Sequence, residues 1–124
     1  MAERPVLQPT AEHPITVTPT PGRVVVRVNG EVVADTSAAL TLQESTYPAV
    51  QYIPIEHVNR QVLIPTDTST YCPFKGDAGY YSVRVGDVTV DDAVWFYARP
   101  YPAVGEIAGH VAFYPNKADV TVTP

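Results

Sequence analysis

The chain has a single cysteine, Cys72, among 124 residues, so no disulfide can form within it. That favours a reducing compartment and leaves stability to packing. Basic residues are also scarce. Eight lysines and arginines stand against thirteen acidic residues, for a formal net charge of −5, and the eight are scattered. A nucleic-acid binder needs clustered lysine and arginine to displace counterions, so no nucleic-acid partner is expected and the acidic balance serves solubility. No apolar run reaches the length of a membrane span, and Met1-Ala2-Glu3-Arg4-Pro5 lacks the apolar core of a signal peptide. The expectation is a cytoplasmic protein with no membrane partner. The histidines His13, His57 and His110 lie far apart and no Cys-x-x-Cys pair exists. A zinc site needs about four ligands at suitable spacing, so neither metal nor cofactor is expected.

What is present points to a packed β domain. With 45% apolar and only 17% charged residues, the composition is that of a globular chain rather than a disordered one. The length suits one domain, able to bury roughly two thirds of its unfolded surface. Residues 1–14 carry Pro5, Pro9 and Pro14 among polar side chains and read as an N-terminal arm or tail. Residues 15–124 form the domain, expected as a monomer or weak homo-oligomer.

Thirteen prolines are spread through the chain. Each removes a backbone donor and opposes a helix interior, which excludes long helices. Valine, threonine and tyrosine fill the intervals and suit pleated, half-buried surfaces. Arg23–Val28 alternates, with Val24, Val26 and Val28 on one face, before the turn pair Asn29-Gly30 and a return strand Glu31–Asp35. A second hairpin runs Tyr80–Val85, turns at Gly86-Asp87 and returns through Val88–Val90. Asp91-Asp92 then reads as a turn into Ala93–Tyr97, where Trp95 and Tyr97 share a face. Shorter strands are predicted at Ile15–Thr18, Val50–Ile53, Gln61–Ile64, Val111–Tyr114 and Val120–Val122. Pro54–Val58 reads as one helical turn. Pro102–Ala108 reads as another, with Val104, Ile107 and Ala108 buried and Gly109 ending it. The fold class is mainly β, a single antiparallel barrel or sandwich with one or two short helical turns.

A set of short segments carries a resemblance over nearly all of residues 22–122. They are Gly30 with Val33-Ala34-Asp35, Glu44, Tyr52-Ile53-Pro54, Tyr71-Cys72-Pro73-Phe74-Lys75-Gly76 and Tyr80-Tyr81-Ser82-Val83. Trp95-Phe96-Tyr97, Ile107-Ala108-Gly109 and Ala112-Phe113-Tyr114-Pro115 complete it. In these the chain resembles the domain of unknown function 427 (DUF427) family, small and mostly bacterial β proteins. His57 departs from it, standing where the family pattern is more often acidic. The resemblance implies a compact β fold similar to the β-tent group, without the cysteine pairs of its zinc-bearing members, and no established activity. A nucleotidyltransferase label is sometimes attached to the family, yet no phosphate loop or paired metal-binding carboxylates can be read here.

Candidate chemistry centres on Tyr71–Gly76. A thiol reacts as its thiolate, which a neighbouring cation favours, and Lys75 lies three residues from Cys72. In a regular strand the two would face opposite ways, so the Pro73–Gly76 turn must bend the chain for them to meet. Cys72 and Lys75 are the candidate catalytic pair; the competing reading of Cys72 is a small buried hydrophobe. Lysine is seldom buried unpaired, so a buried Lys75 would take Glu44, Glu106 or an anionic ligand as its partner; the competing reading is a surface lysine or a merely structural ion pair. Tyr52, Tyr71, Tyr80, Trp95 and Tyr97 are the candidate ligand-binding aromatics, with Glu44 alongside, because such side chains combine area with a polar tip. Tyr47, Tyr81 and Tyr114 belong to the same aromatic pool. The function expected is the binding of a small molecule, anionic or neutral, with or without a reaction. The alternative is a non-catalytic protein-interaction module.

Overall fold

Alternating valines decide the first hairpin. In the computed structural model, which describes residues 4–124, Val24, Val26 and Val28 of β2 (Arg23–Val28) are buried while Arg23 and Arg27 are exposed. Asn29 (φ 51°) and Gly30 (φ 78°) make the turn into β3 (Glu31–Thr36). Two consecutive positive φ values suit the right-handed twist of a two-residue hairpin, and asparagine and glycine adopt them at least cost. The register slips by one between Val26 and Arg27. Val33 is the extra residue, so both Val33 and Ala34 are buried. Asp119–Thr123 (here β10) pairs with the other side of β2 and completes a three-stranded sheet.

The second sheet has seven strands, all antiparallel: β1 (Ile15–Pro19), β4 (Leu40–Glu44), β5 (Val50–Pro54), β9 (His110–Phe113), β8 (Val88–Phe96), β7 (Gly76–Val85) and β6 (Leu63–Cys72), in that spatial order. The two sheets lie face to face without closing into a barrel. A main core of valines from β2, β7 and β8, with Ile53, Val111 and Phe113, fills the space between them. The opposite face of the large sheet carries a smaller core. There Leu42, Tyr52, Ala78, Tyr97 and Ala112 pack with Val104 and Ile107 of the 3-10 turn Pro102–Ile107.

The mainly β class and most strands match the sequence expectation, with three corrections. The segment Gln61–Ile64 is split: Arg60–Val62 is a 3-10 turn capped by the Asn59 side chain, and strand begins only at Leu63. Asp91-Asp92 is not a turn between strands but a bulge inside continuous β8, where three residues oppose Ser82. Asp92 sits there at φ 45°, its N–H bound to Ser82 Oγ at 3.0 Å and its carboxylate accepting from Thr66 (2.8 Å) and Thr68 (2.6 Å). Ala108 is exposed, although Val104 and Ile107 are fully buried as expected. β4 and most of β6 carry no sequence expectation. Among the described residues no helix is long and apolar enough to cross a membrane.

Candidate functional site

The Cys72–Gly76 hairpin brings the thiol and the ammonium together. The Lys75 N–H donates to the Cys72 carbonyl at 3.1 Å, closing a β-turn with Pro73 at its second position, where the fixed φ of the ring is suited. Gly76 follows at φ 109°, a conformation that side chains resist, and opens β7 in register with Cys72. The chain doubles back within three residues, and Lys75 Nζ comes 3.8 Å from Cys72 Sγ.

Lys75 is buried, its side chain 10% exposed, and it does not stand alone. Its ammonium donates to Glu44 Oε1, and the Glu44 side chain is only 16% exposed. The second Glu44 oxygen accepts from His13 Nε2 at 2.8 Å. Because a carboxylate can only accept, His13 must carry its proton on Nε2. The His13 ring stacks on Phe74 at 4.4 Å and 7°, so the hairpin tip forms its seat. Burial works to raise the Glu44 carboxyl, but the hydrogen bonds from Lys75 and His13 outweigh it and hold the group below its ordinary value. Glu106, the other carboxylate considered for Lys75, is exposed.

Beside this pair the large sheet splits. β5 pairs with β9 only at Ile53–Val111 and Pro54–His110. Toward Val50 the two strands diverge, and the gap opens a cavity of about 640 Å³. Glu44 and Lys75 form part of its wall together with Tyr52, Tyr80, Trp95, Tyr97 and Tyr114. Gln51, Phe113 and, from the smaller sheet, Val120 and Val122 complete that wall, with Tyr47 and Pro48 also contributing. Trp95 donates its indole N–H to the Tyr52 hydroxyl at 3.1 Å and lies against Tyr114 at 4.4 Å between ring centres. Burial pushes the Tyr52 and Tyr97 phenols well up, and pushes Tyr114 up to about 12.

Of the candidates from sequence, Glu44, Tyr52, Lys75, Tyr80, Trp95 and Tyr97 meet at this cavity. Cys72 is half-buried behind Lys75, packed against the smaller core, and does not line the cavity. Tyr71 is elsewhere. As the strand neighbour of Cys72 it faces the other way. Its hydroxyl donates to the Pro5 carbonyl (2.6 Å) and accepts from Tyr101 (2.7 Å), and Arg4 lies 4.2 Å above its ring. The Tyr101 hydrogen bond, followed by burial, raises the Tyr71 phenol to about 12. Arg4 also binds Asp77 through both terminal guanidinium nitrogens, and Leu7 N–H donates to Pro73 O at 2.9 Å. Residues 4–14 thus run along the hairpin and deliver His13 to Glu44. The other histidines are apart from the site, His57 on Thr36 and His110 on the Ala108 carbonyl. Among the described residues no three histidine, cysteine or acidic side chains gather as a metal site.

The family model described as Domain of unknown function (DUF427) matches residues 16–124. The chain belongs to that family. No curated protein matches it. The DUF427 span includes every cavity-lining residue and the hairpin, whereas His13 and the arm precede it. His13 escaped the sequence reading because only tertiary packing brings the arm to Glu44. Gln51, Val120 and Val122 escaped it because the split in the sheet is a long-range feature.

Proposed function

We propose that this DUF427 domain binds a small molecule in the cavity between β5 and β9. One observation carries the reading: a cavity of about 640 Å³ whose wall combines aromatic side chains with the paired Glu44 and Lys75. That combination is the usual make-up of a small-molecule site, where apolar area gives affinity and a few fixed polar groups give orientation. The aromatic wall favours a flat, ring-bearing ligand. Cys72 acts as backing for Lys75, and any catalytic part for Cys72 and Lys75 requires the ligand to reach past the lysine. A soluble, cytoplasmic, monomeric or weakly self-associating protein with no nucleic-acid or membrane partner is the setting proposed. The test is a thermal-shift screen against a metabolite library, repeated with Trp95→Ala. Compounds that raise the melting temperature of the parent but not of the variant support the reading. A library with no such compound overturns it.

One observation favours a second reading, a protein-interaction module. Among the described residues β10 has a neighbour only on its β2 side, and Val122 is 43% exposed, so its outer edge is open to a further strand. Capture of a partner by the parent and not by a Val122→Lys variant, with no small-molecule hit, would favour it.

A further inference from the structure

Two phenols that line the cavity have a hydroxyl hydrogen that no described residue accepts. Tyr52 is 1% exposed, and its hydroxyl accepts from Trp95 while donating to no described residue. Tyr97 is 8% exposed and lines the same cavity, and its hydroxyl makes no hydrogen bond to any described residue. Among the described residues, no fully enclosed side-chain oxygen or nitrogen lacks a partner. The Tyr97 hydroxyl is therefore not sealed in the core; it opens on the cavity. An acceptor atom entering the cavity would therefore find two phenol donors not already engaged by the described residues.

The charges nearby say what kind of acceptor. The Lys75 ammonium is matched by Glu44. The Glu44 carboxylate faces the same cavity and would repel a second anion. The chain as a whole carries −5. A neutral acceptor meets none of this opposition. Resting on the small-molecule reading above, we propose that the cavity selects an uncharged, flat ring compound bearing a carbonyl group, whose oxygen accepts from Tyr52 and Tyr97 while its ring lies against Trp95 and Tyr80. This replaces the anionic ligand expected from Lys75 alone. Both phenols keep their protons at neutral pH, since burial raises them, and so remain donors.

Three probes of one shape separate the possibilities: benzamide, benzoate and toluene. The chain has one tryptophan, and Trp95 lines the cavity, so its single indole N–H signal in a nitrogen–proton correlation spectrum reports on occupancy there. The expected result is that benzamide shifts that signal with an affinity about fivefold or more above benzoate and toluene, the worth of one hydrogen bond. Tyr97→Phe should then bring benzamide down to the level of toluene and leave toluene unchanged. Tyr52→Phe, checked by its melting curve, serves as the second variant should Tyr97→Phe not fold. Benzoate binding best, with its preference lost in Lys75→Met, overturns the neutral-carbonyl inference and keeps the cavity. Equal binding of all three also overturns the inference alone. No shift with any probe overturns both this inference and the small-molecule reading.

Discussion

Glu44, at the end of β4, and Lys75, in the turn between β6 and β7, meet as a pair whose side chains are only 16% and 10% exposed. The two charges left water together, so the pair has small net worth while its rupture is expensive. Glu44→Gln leaves the Lys75 ammonium facing a neutral amide in a closed space. The expected loss is about 2 kcal/mol by urea denaturation, below the 3–5 kcal/mol of a deeply buried pair because some water reaches this one. Lys75→Met should cost a similar amount, about 2 kcal/mol, by stranding the carboxylate. The double variant should cost clearly less than the sum of the two, since neither orphaned charge remains.

The same carboxylate should shape acid unfolding. Its folded value lies below the unfolded one because Lys75 and His13 outweigh burial. Its contribution is therefore fully present above the unfolded value, about 4.3, and is lost as pH falls through the lower folded value. The stability difference between the parent and Glu44→Gln should be constant above about pH 6 and should shrink below about pH 4. Urea curves at stepped pH check it; a difference independent of pH down to the acid limit would mean that Glu44 is not held as an anion.

How much of this was readable in advance depends on whether a local pattern exists. β2, the Asn29-Gly30 turn and the helical turn before Gly109 are set by neighbours in sequence, and alternation or turn chemistry reveals them. β6 has no such pattern: eight of its ten residues from Ile64 to Tyr71 include Pro65 and mostly exposed threonine, serine and aspartate. It is an edge strand held by β7 alone, so it has little apolar face to read. Asp91-Asp92 resembled a turn because the carboxylates suit one, whereas the bulge is fixed by Ser82, Thr66 and Thr68 from other strands. At the site, alternation alone separates Tyr71 from Cys72. The meeting of Glu44 with Lys75 and the parting of β5 from β9 belong to tertiary register, which no local pattern encodes.

The arm offers a sharper test of local order than of stability. Arg4, Pro5 and Leu7 are all on the surface, held by Asp77, Tyr71 and Pro73. Exposed ion pairs contribute little to global unfolding, so Arg4→Ala should leave the urea midpoint where it is. The Leu7 amide, whose bond to Pro73 O depends on the arm lying flat, should exchange its hydrogen faster in the variant. Exchange at core amides such as Val94 should not change. Acceleration spread evenly over the chain would show that the arm supports the whole domain.

Cys72 is half-buried and packed against the smaller core, with Lys75 over it. A thiol that must wait for local opening reacts at the rate of that opening rather than at the rate of its chemistry. Iodoacetamide should therefore modify the native protein at least about tenfold more slowly than the urea-unfolded chain at the same pH. Native alkylation as fast as unfolded would place the thiol in open solvent and revive its case as a nucleophile.

Trp95 and Tyr52 hold the two sides of the split together. Tyr52 belongs to β5 and Trp95 to β8, and with β5 and β9 parted at this level the indole-to-phenol hydrogen bond at 3.1 Å spans the gap. Removing only the hydroxyl, in Tyr52→Phe, deprives the indole N–H of its acceptor and should cost about 1 kcal/mol, with a clear displacement of the single indole signal. Trp95→Ala removes the ring as well, and the half-exposed position tempers what would be about 3–5 kcal/mol at a fully buried site. The two variants divide the linkage into its polar and packing parts. If Tyr52→Phe moved neither the melting curve nor the indole signal, the hydroxyl would not be gripping the indole, and the cavity would have no polar tie across its opening.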